Sequence, residues 1–173
     1  MAATRMQHNH LYIQVLDWHK VGAYRICGLQ IHRDGSIRAQ VEYDNGKPYW
    51  GWIHSNDDMS TIGAVVLFEL ANLGSKYRLY VEKLKAFKAD TEKTAEDILI
   101  AFLDELKSLE LLGASGQTLM TEVKAEAGRR GFANSTDIVR SEHFVTVQCG
   151  ISGLVRDESD KALVVRWAVS MEE

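Results

Sequence analysis

Proline and cysteine are nearly missing from this chain. One proline in 173 residues leaves no room for a Pro-rich linker or recognition segment. The two cysteines, Cys27 and Cys149, lie far apart and outside any CxxC pair. They are expected to be buried, reduced thiols, not a disulfide. No apolar run reaches the roughly 18 residues that mark a membrane-spanning helix. The N-terminus has no charged-then-apolar signal pattern, so a cytoplasmic protein without a membrane segment is the expectation. A basic excess is lacking too. The net charge is −4, and direct nucleic-acid binding is not expected of such a chain.

What remains is an ordinary globular balance, 46% hydrophobic and 25% charged. It suits one domain with a core large enough to stand without disulfides or metal. Residues 1–10 read as a flexible polar tail and 11–173 as a single domain. Charge is uneven along it. Residues 57–127 hold eight Lys/Arg against thirteen Asp/Glu, and five of the six histidines lie in the first third.

The N-terminal part reads as strands. Runs at residues 11–16, 23–32, 36–44 and 47–54 are separated in two places by Asp34-Gly35 and Asn45-Gly46, strong hairpin signals. A two-residue loop at Asn45-Gly46 pairs Tyr43 with Pro48, Val41 with Trp50 and Ala39 with Trp52. For the earlier hairpin a three-residue loop, Arg33-Asp34-Gly35, pairs Ile31 with Ile37, Leu29 with Ala39 and Cys27 with Val41. That register sends Val41, Trp50 and Trp52 inward. Tyr24, Ile26, Arg38, Tyr49 and Ile53 then share the far face.

The most apolar stretch, residues 62–73, contains only Glu69 and Asn72 as strongly polar positions. Apolar character on nearly every side predicts a buried helix over 57–73, capped by Ser55, Asn56 or Asp57 and stopped at Gly74. A second helix is predicted around Tyr77, Tyr80, Val81, Leu84 and Phe87. A third follows Thr94, with Ile98, Leu99, Phe102, Leu106 and Leu109 as its stripe. A short helix is predicted at 118–127, ended by Gly128-Arg129-Arg130-Gly131. Two C-terminal strands follow, around Val145–Ile151 and Leu163–Val169, joined by a turn at 156–161. The expected fold is α+β, an antiparallel sheet of about six strands (four N-terminal, two C-terminal) with three to four helices on one face.

No stretch carries a complete catalytic or cofactor signature: HExxH, a Walker A lysine and GxGxxG are all missing. His8, His10, Asp17, His19, His32 and His54 could converge on a metal, but His8 and His10 fall in the expected tail, and no metal or other cofactor is assigned. Arg129 and Arg130, in a glycine-flanked loop, are candidates for holding a phosphate or carboxylate. An apolar patch with polar borders marks an interaction surface, so Tyr24, Ile26, Arg38, Tyr49 and Ile53 are the candidate partner-binding or dimer surface. The expected function is a non-catalytic protein-binding module: an adaptor, inhibitor or antagonist of a macromolecular complex, acting through a sheet face and an acidic helical surface, with a homodimer as a further possibility. The alternative is a small metal-dependent hydrolase built on the N-terminal His and Asp residues.

Overall fold

The computed structural model of the chain describes residues 6–16, 24–30, 35–44, 47–55, 64–130, 138–147, 156–157 and 161–162, with side chains for 6–15, 24–28, 66–129 and 138–147. It is an α+β fold built on a mixed sheet. The strands are β1 (His10–Leu16), β2 (Tyr24–Gln30), β3 (Gly35–Asp44), β4 (Lys47–Ser55), β5 (Ala64–Asn72) and β6 (Ile138–Thr146). Their order across the sheet is β4-β3-β2-β1-β5-β6. Neighbours run antiparallel except β5 and β6, which are parallel. Parallel neighbours need a long crossover. Here it consists of three helices, α1 (Tyr77–Ala86), α2 (Ala95–Ser108) and α3 (Gly116–Arg130).

Within the stretch predicted as the central helix, residues 64–72 form β5, and residues 57–63 lie outside the described residues. Its composition misled because a strand buried on both faces is also apolar at nearly every position. Val66, Phe68 and Leu70 join the main core with the helices, and Leu67 packs on the opposite face with Met6, Tyr12 and Cys27. The antiparallel sheet with two C-terminal strands is corrected likewise: β5 comes from the expected helix, and β6 lies parallel to it. Met6 and His10, within the stretch expected as a polar tail, are buried.

The β3–β4 hairpin has the expected register, Tyr43 with Pro48, Val41 with Trp50 and Ala39 with Trp52. The β2–β3 pairing does not. Gln30 pairs with Gly35, so four residues separate the strands, and Cys27 faces Arg38 where Val41 was expected. That odd shift exchanges the two faces of β2. Ile26 now shares a row with Ala39 and Trp52, and Tyr24 with Val41 and Trp50. Of the C-terminal segment, β7 (Arg156–Asp157) and β8 (Lys161–Ala162) pair antiparallel about the expected turn. The predicted strand at 163–169 lies outside the described residues.

The helices form where their stripes predict, with two corrections: α1 ends at Ala86, before Phe87, and α3 runs through Gly128, predicted to end it, as far as Arg130. Thr94 Oγ1 accepts from the Asp97 N–H at 3.1 Å and caps α2, while Glu96 and Asp97 suit the positive end of its dipole. Ile98, Leu99, Phe102, Leu103 and Leu106 are its buried stripe. Ser115 Oγ accepts from the Thr118 N–H at 3.2 Å, and Asp104 from the Gly116 N–H at 2.7 Å, so α3 starts tied to α2. Two glycines permit close layers. A Cβ at Gly28 would lie 2.6 Å from the Tyr77 ring, and one at Gly113 would lie 2.1 Å from the His143 carbonyl. Leu70, 1% exposed in the main core, tests the placement of β5. Leu70→Ala is expected to cost about 2–5 kcal/mol in equilibrium unfolding; a loss below about 0.5 kcal/mol, the usual size of a surface substitution, would contradict it.

Candidate functional site

Among the described residues, a group of ionisable side chains gathers on the sheet face opposite the helices, at β1, β5 and β6. It begins with a sequence conflict: Glu69 sits in the apolar run of β5 and is 5% exposed. A buried carboxylate must be bonded or paired. Two neighbouring strands supply the partners. From β1, His10 Nδ1 bonds Glu69 Oε2, and the Tyr12 hydroxyl lies 3.5 Å from the same oxygen. From β6, Arg140 Nε donates to Glu69 Oε1 at 2.9 Å. The ladders place these groups, since Glu69 is in register with Tyr12 on one side and Arg140 on the other.

Aromatic rings surround the pair. The Arg140 guanidinium lies 3.8 Å from the centre of the Phe144 ring, a cation–π geometry. The His10 ring stacks near Tyr12 and is 5.8 Å from the Phe144 ring. The Arg140 side chain remains 54% exposed, so the group reaches solvent through its guanidinium. The Gln7 N–H donates to the Tyr12 hydroxyl at 2.7 Å. Burial is the main reason the Tyr12 hydroxyl is held well above the ordinary tyrosine range, with the Glu69 charge adding to it. Tyr80, in the core beneath the helices, is raised for the same first reason.

A second group sits where β6 departs from β5. Glu69 pairs with Arg140 and Ala71 with Val145, so residues 141–144 face Leu70 alone. This bulge is fastened to α3 by Glu122. Its carboxylate accepts from Ser141 Oγ at 2.6 Å and from the Glu142 N–H at 2.9 Å, and His143 Nδ1 lies 3.4 Å away. Ser, His and Glu meet here, but in the wrong order for acyl transfer. A nucleophilic serine needs the imidazole between itself and the acid, whereas the Ser141 hydroxyl donates directly to the carboxylate and its oxygen accepts from the His143 backbone N–H at 2.9 Å.

The candidate residues from the sequence are scattered by the fold. Tyr24 and Ile26 are 6% and 0% exposed and belong to the main core, which removes them from the proposed partner surface. The face exchange in β2 is the cause. Arg38 remains in register with Ile53, and Tyr49 with Glu42; their side chains lie outside the described residues. Arg129 is at the C-terminal end of α3 and ion-paired with Glu126. A helix C-terminus disfavours an anion, and Arg129 there already pairs with a carboxylate. Arg130 ends the same helix, and its side chain is outside the described residues. Cys27 is buried, as expected; Cys149, Asp17, His19 and His32 lie outside the described residues. His10 is held by Glu69, and among the described residues no three His, Cys, Asp or Glu side chains converge as metal ligands. No described helix is long and apolar enough to cross a membrane.

Sequence reasoning noticed Glu69 as a polar break but gave it no partner. Tyr12, Arg140, Phe144, Glu122 and Ser141 were missed. Comparison with family models, with curated proteins and with solved structures finds no match to this chain.

The two raised tyrosines give a pH prediction. Their folded values lie above the unfolded value near 10. Their contribution to stability is therefore complete below about pH 10 and is lost as pH rises toward the folded values. In an alkaline titration followed by phenolate absorbance, Tyr12 and Tyr80 are expected to stay protonated beyond the ordinary tyrosines and to ionise together with unfolding. Titration of all six tyrosines near pH 10, with circular dichroism unchanged, would contradict the burial assigned to them.

Proposed function

We propose that this chain is a non-catalytic protein-binding module, an adaptor or inhibitor that works by contact through the outer strands β3 and β4. One observation carries the proposal: the ionisable groups that the described strands and helices bring together are spent on internal bonds. Glu69 takes His10, Tyr12 and Arg140. Glu122 takes Ser141, His143 and a backbone N–H. A general base or nucleophile needs a free lone pair aimed at a reacting atom, and neither carboxylate is arranged that way. The outer strands differ in character. Arg38 and Ile53 lie in one row with Cys27, and Tyr49 faces Glu42 farther along the same hairpin; tyrosine and arginine are favoured where binding energy concentrates.

Tyr49→Asp and Ile53→Asp, made separately in the full chain, test the proposal. Each is expected to leave circular dichroism and melting temperature nearly unchanged. Each should abolish capture of the protein that the wild type retains from its native host and rebinds after purification. Unfolding of either variant would make that row core and overturn the reading. So would stoichiometric zinc, iron or manganese in the purified protein, which belongs to a metal-dependent hydrolase.

A further inference from the structure

We propose that the outer edge of β4 pairs antiparallel with the β4 edge of a second copy of this chain, in a register centred on Gly51. The inference concerns the backbone edge of β4, and it does not rest on the partner-binding reading of Tyr49 and Ile53, which lie on the same strand. Among the described residues β4 is bonded to β3 alone and ends the sheet. An edge strand presents a row of unpaired N–H and C=O groups, a template for another strand.

The register follows from the hairpin. The β3–β4 ladder runs without a shift from Ser36 and Ser55 to Asp44 and Lys47. Two residues separate Asp44 from Lys47, and a two-residue hairpin closes on a hydrogen-bonded pair. Counting from that pair, Lys47, Tyr49, Gly51, Ile53 and Ser55 direct their backbone groups toward β3. Pro48, Trp50, Trp52 and His54 direct theirs outward. Two copies related by a two-fold axis bond only where outward residues meet outward residues.

A register centred on Gly51, the middle of the nine-residue strand, satisfies this over its whole length. Trp50 faces Trp52 of the second copy, and Trp52 faces its Trp50, each pair exchanging both backbone bonds. A slip by two residues in either direction keeps the phase but shortens the overlap. Lys47 and Pro48, residue types that protect an edge from pairing, fall together at one extremity of β4. They meet Ser55 and His54 of the second copy, so the missing proline donor costs one bond at each end and none in the middle. The strand has no acidic residue, and its one lysine does not meet its own copy. Aromatic residues directly opposite each other on antiparallel strands are favourable. At the other end of the sheet, β6 is interrupted by the bulge at 141–144, and a bulged edge resists pairing. Association through β4 therefore closes at two copies.

Gly51→Cys in the full chain tests the register. At the two-fold axis the two Gly51 residues form a non-hydrogen-bonded pair with Cα atoms about 4.5 Å apart, inside the range a disulfide spans. Mild oxidation is expected to convert this variant to a covalent dimer on a non-reducing gel. Lys47→Cys and the wild-type chain are expected to run as monomers in the same assay. A second variant carrying both Tyr49→Cys and Ile53→Cys, positions that face each other in this register, should also cross-link. Light scattering on the wild type, which needs no variant to fold, is expected to give a dimer mass that falls on dilution. A monomer mass from micromolar to near-millimolar concentration overturns the proposal. So does a dimer that cross-links through Lys47→Cys and not through Gly51→Cys.

Discussion

Burial of β5 on both faces is the constraint on which the rest of the structure depends. Its helix-side residues, Val66, Phe68 and Leu70, anchor α1, α2 and α3, while Leu67 anchors the opposite face. A strand so enclosed has no water for a charged side chain, yet it carries Glu69. Desolvating an unpaired carboxylate costs several kcal/mol (about 3–5 when one partner of a buried pair is removed). The strands on either side must therefore bring donors, and they do. His10 and Tyr12 come from β1 and Arg140 from β6. The same carboxylate thereby ties the parallel strand β6, whose own ladder is interrupted one residue later, to the antiparallel part of the sheet.

The interrupted ladder is repaired from the other face. Residues 141–144 lose their strand partners, and Glu122 on α3 satisfies the Ser141 hydroxyl and the Glu142 amide there. Gly113 leaves room for the His143 carbonyl to approach. The two carboxylates thus hold the same strand from opposite sides of the sheet, and both are used up in doing so. Among the described residues, the ionisable groups clustered at these two places serve the architecture.

Local features were legible in the sequence, and long-range ones were not. Asn45-Gly46 between alternating runs determined the β3–β4 register residue by residue. Thr94 marked the start of α2 because its hydroxyl reaches an amide three residues on. In β2, by contrast, both alternating sets are apolar: Tyr24 and Ile26 on one side, Cys27 and Leu29 on the other. Periodicity could not choose between them, and the loop before Gly35 proved one residue longer than the three-residue turn. The run at 62–73 has the length at which a doubly buried strand and a buried helix share a composition. Its adjacent valines, Val65 and Val66, were the β-favouring signal. The partners of Glu69 lie 57 to 71 residues away in sequence, and no spacing rule joins residues that only a sheet brings together.

The central claim is that Glu69 is a structural tie linking β1 to β6. A double-mutant cycle on His10→Gln and Arg140→Gln measures it most directly, through the unfolding free energies of the wild type, the two single variants and the double variant. Either single variant leaves the carboxylate two of its three partners; the double variant leaves it only the Tyr12 hydroxyl, 3.5 Å away. The account predicts non-additivity of about 0.5–3 kcal/mol, the range for residues sharing one network. Additivity within about 0.3–0.5 kcal/mol, as for distant independent sites, would show that the two strands do not communicate through Glu69 and would contradict the account.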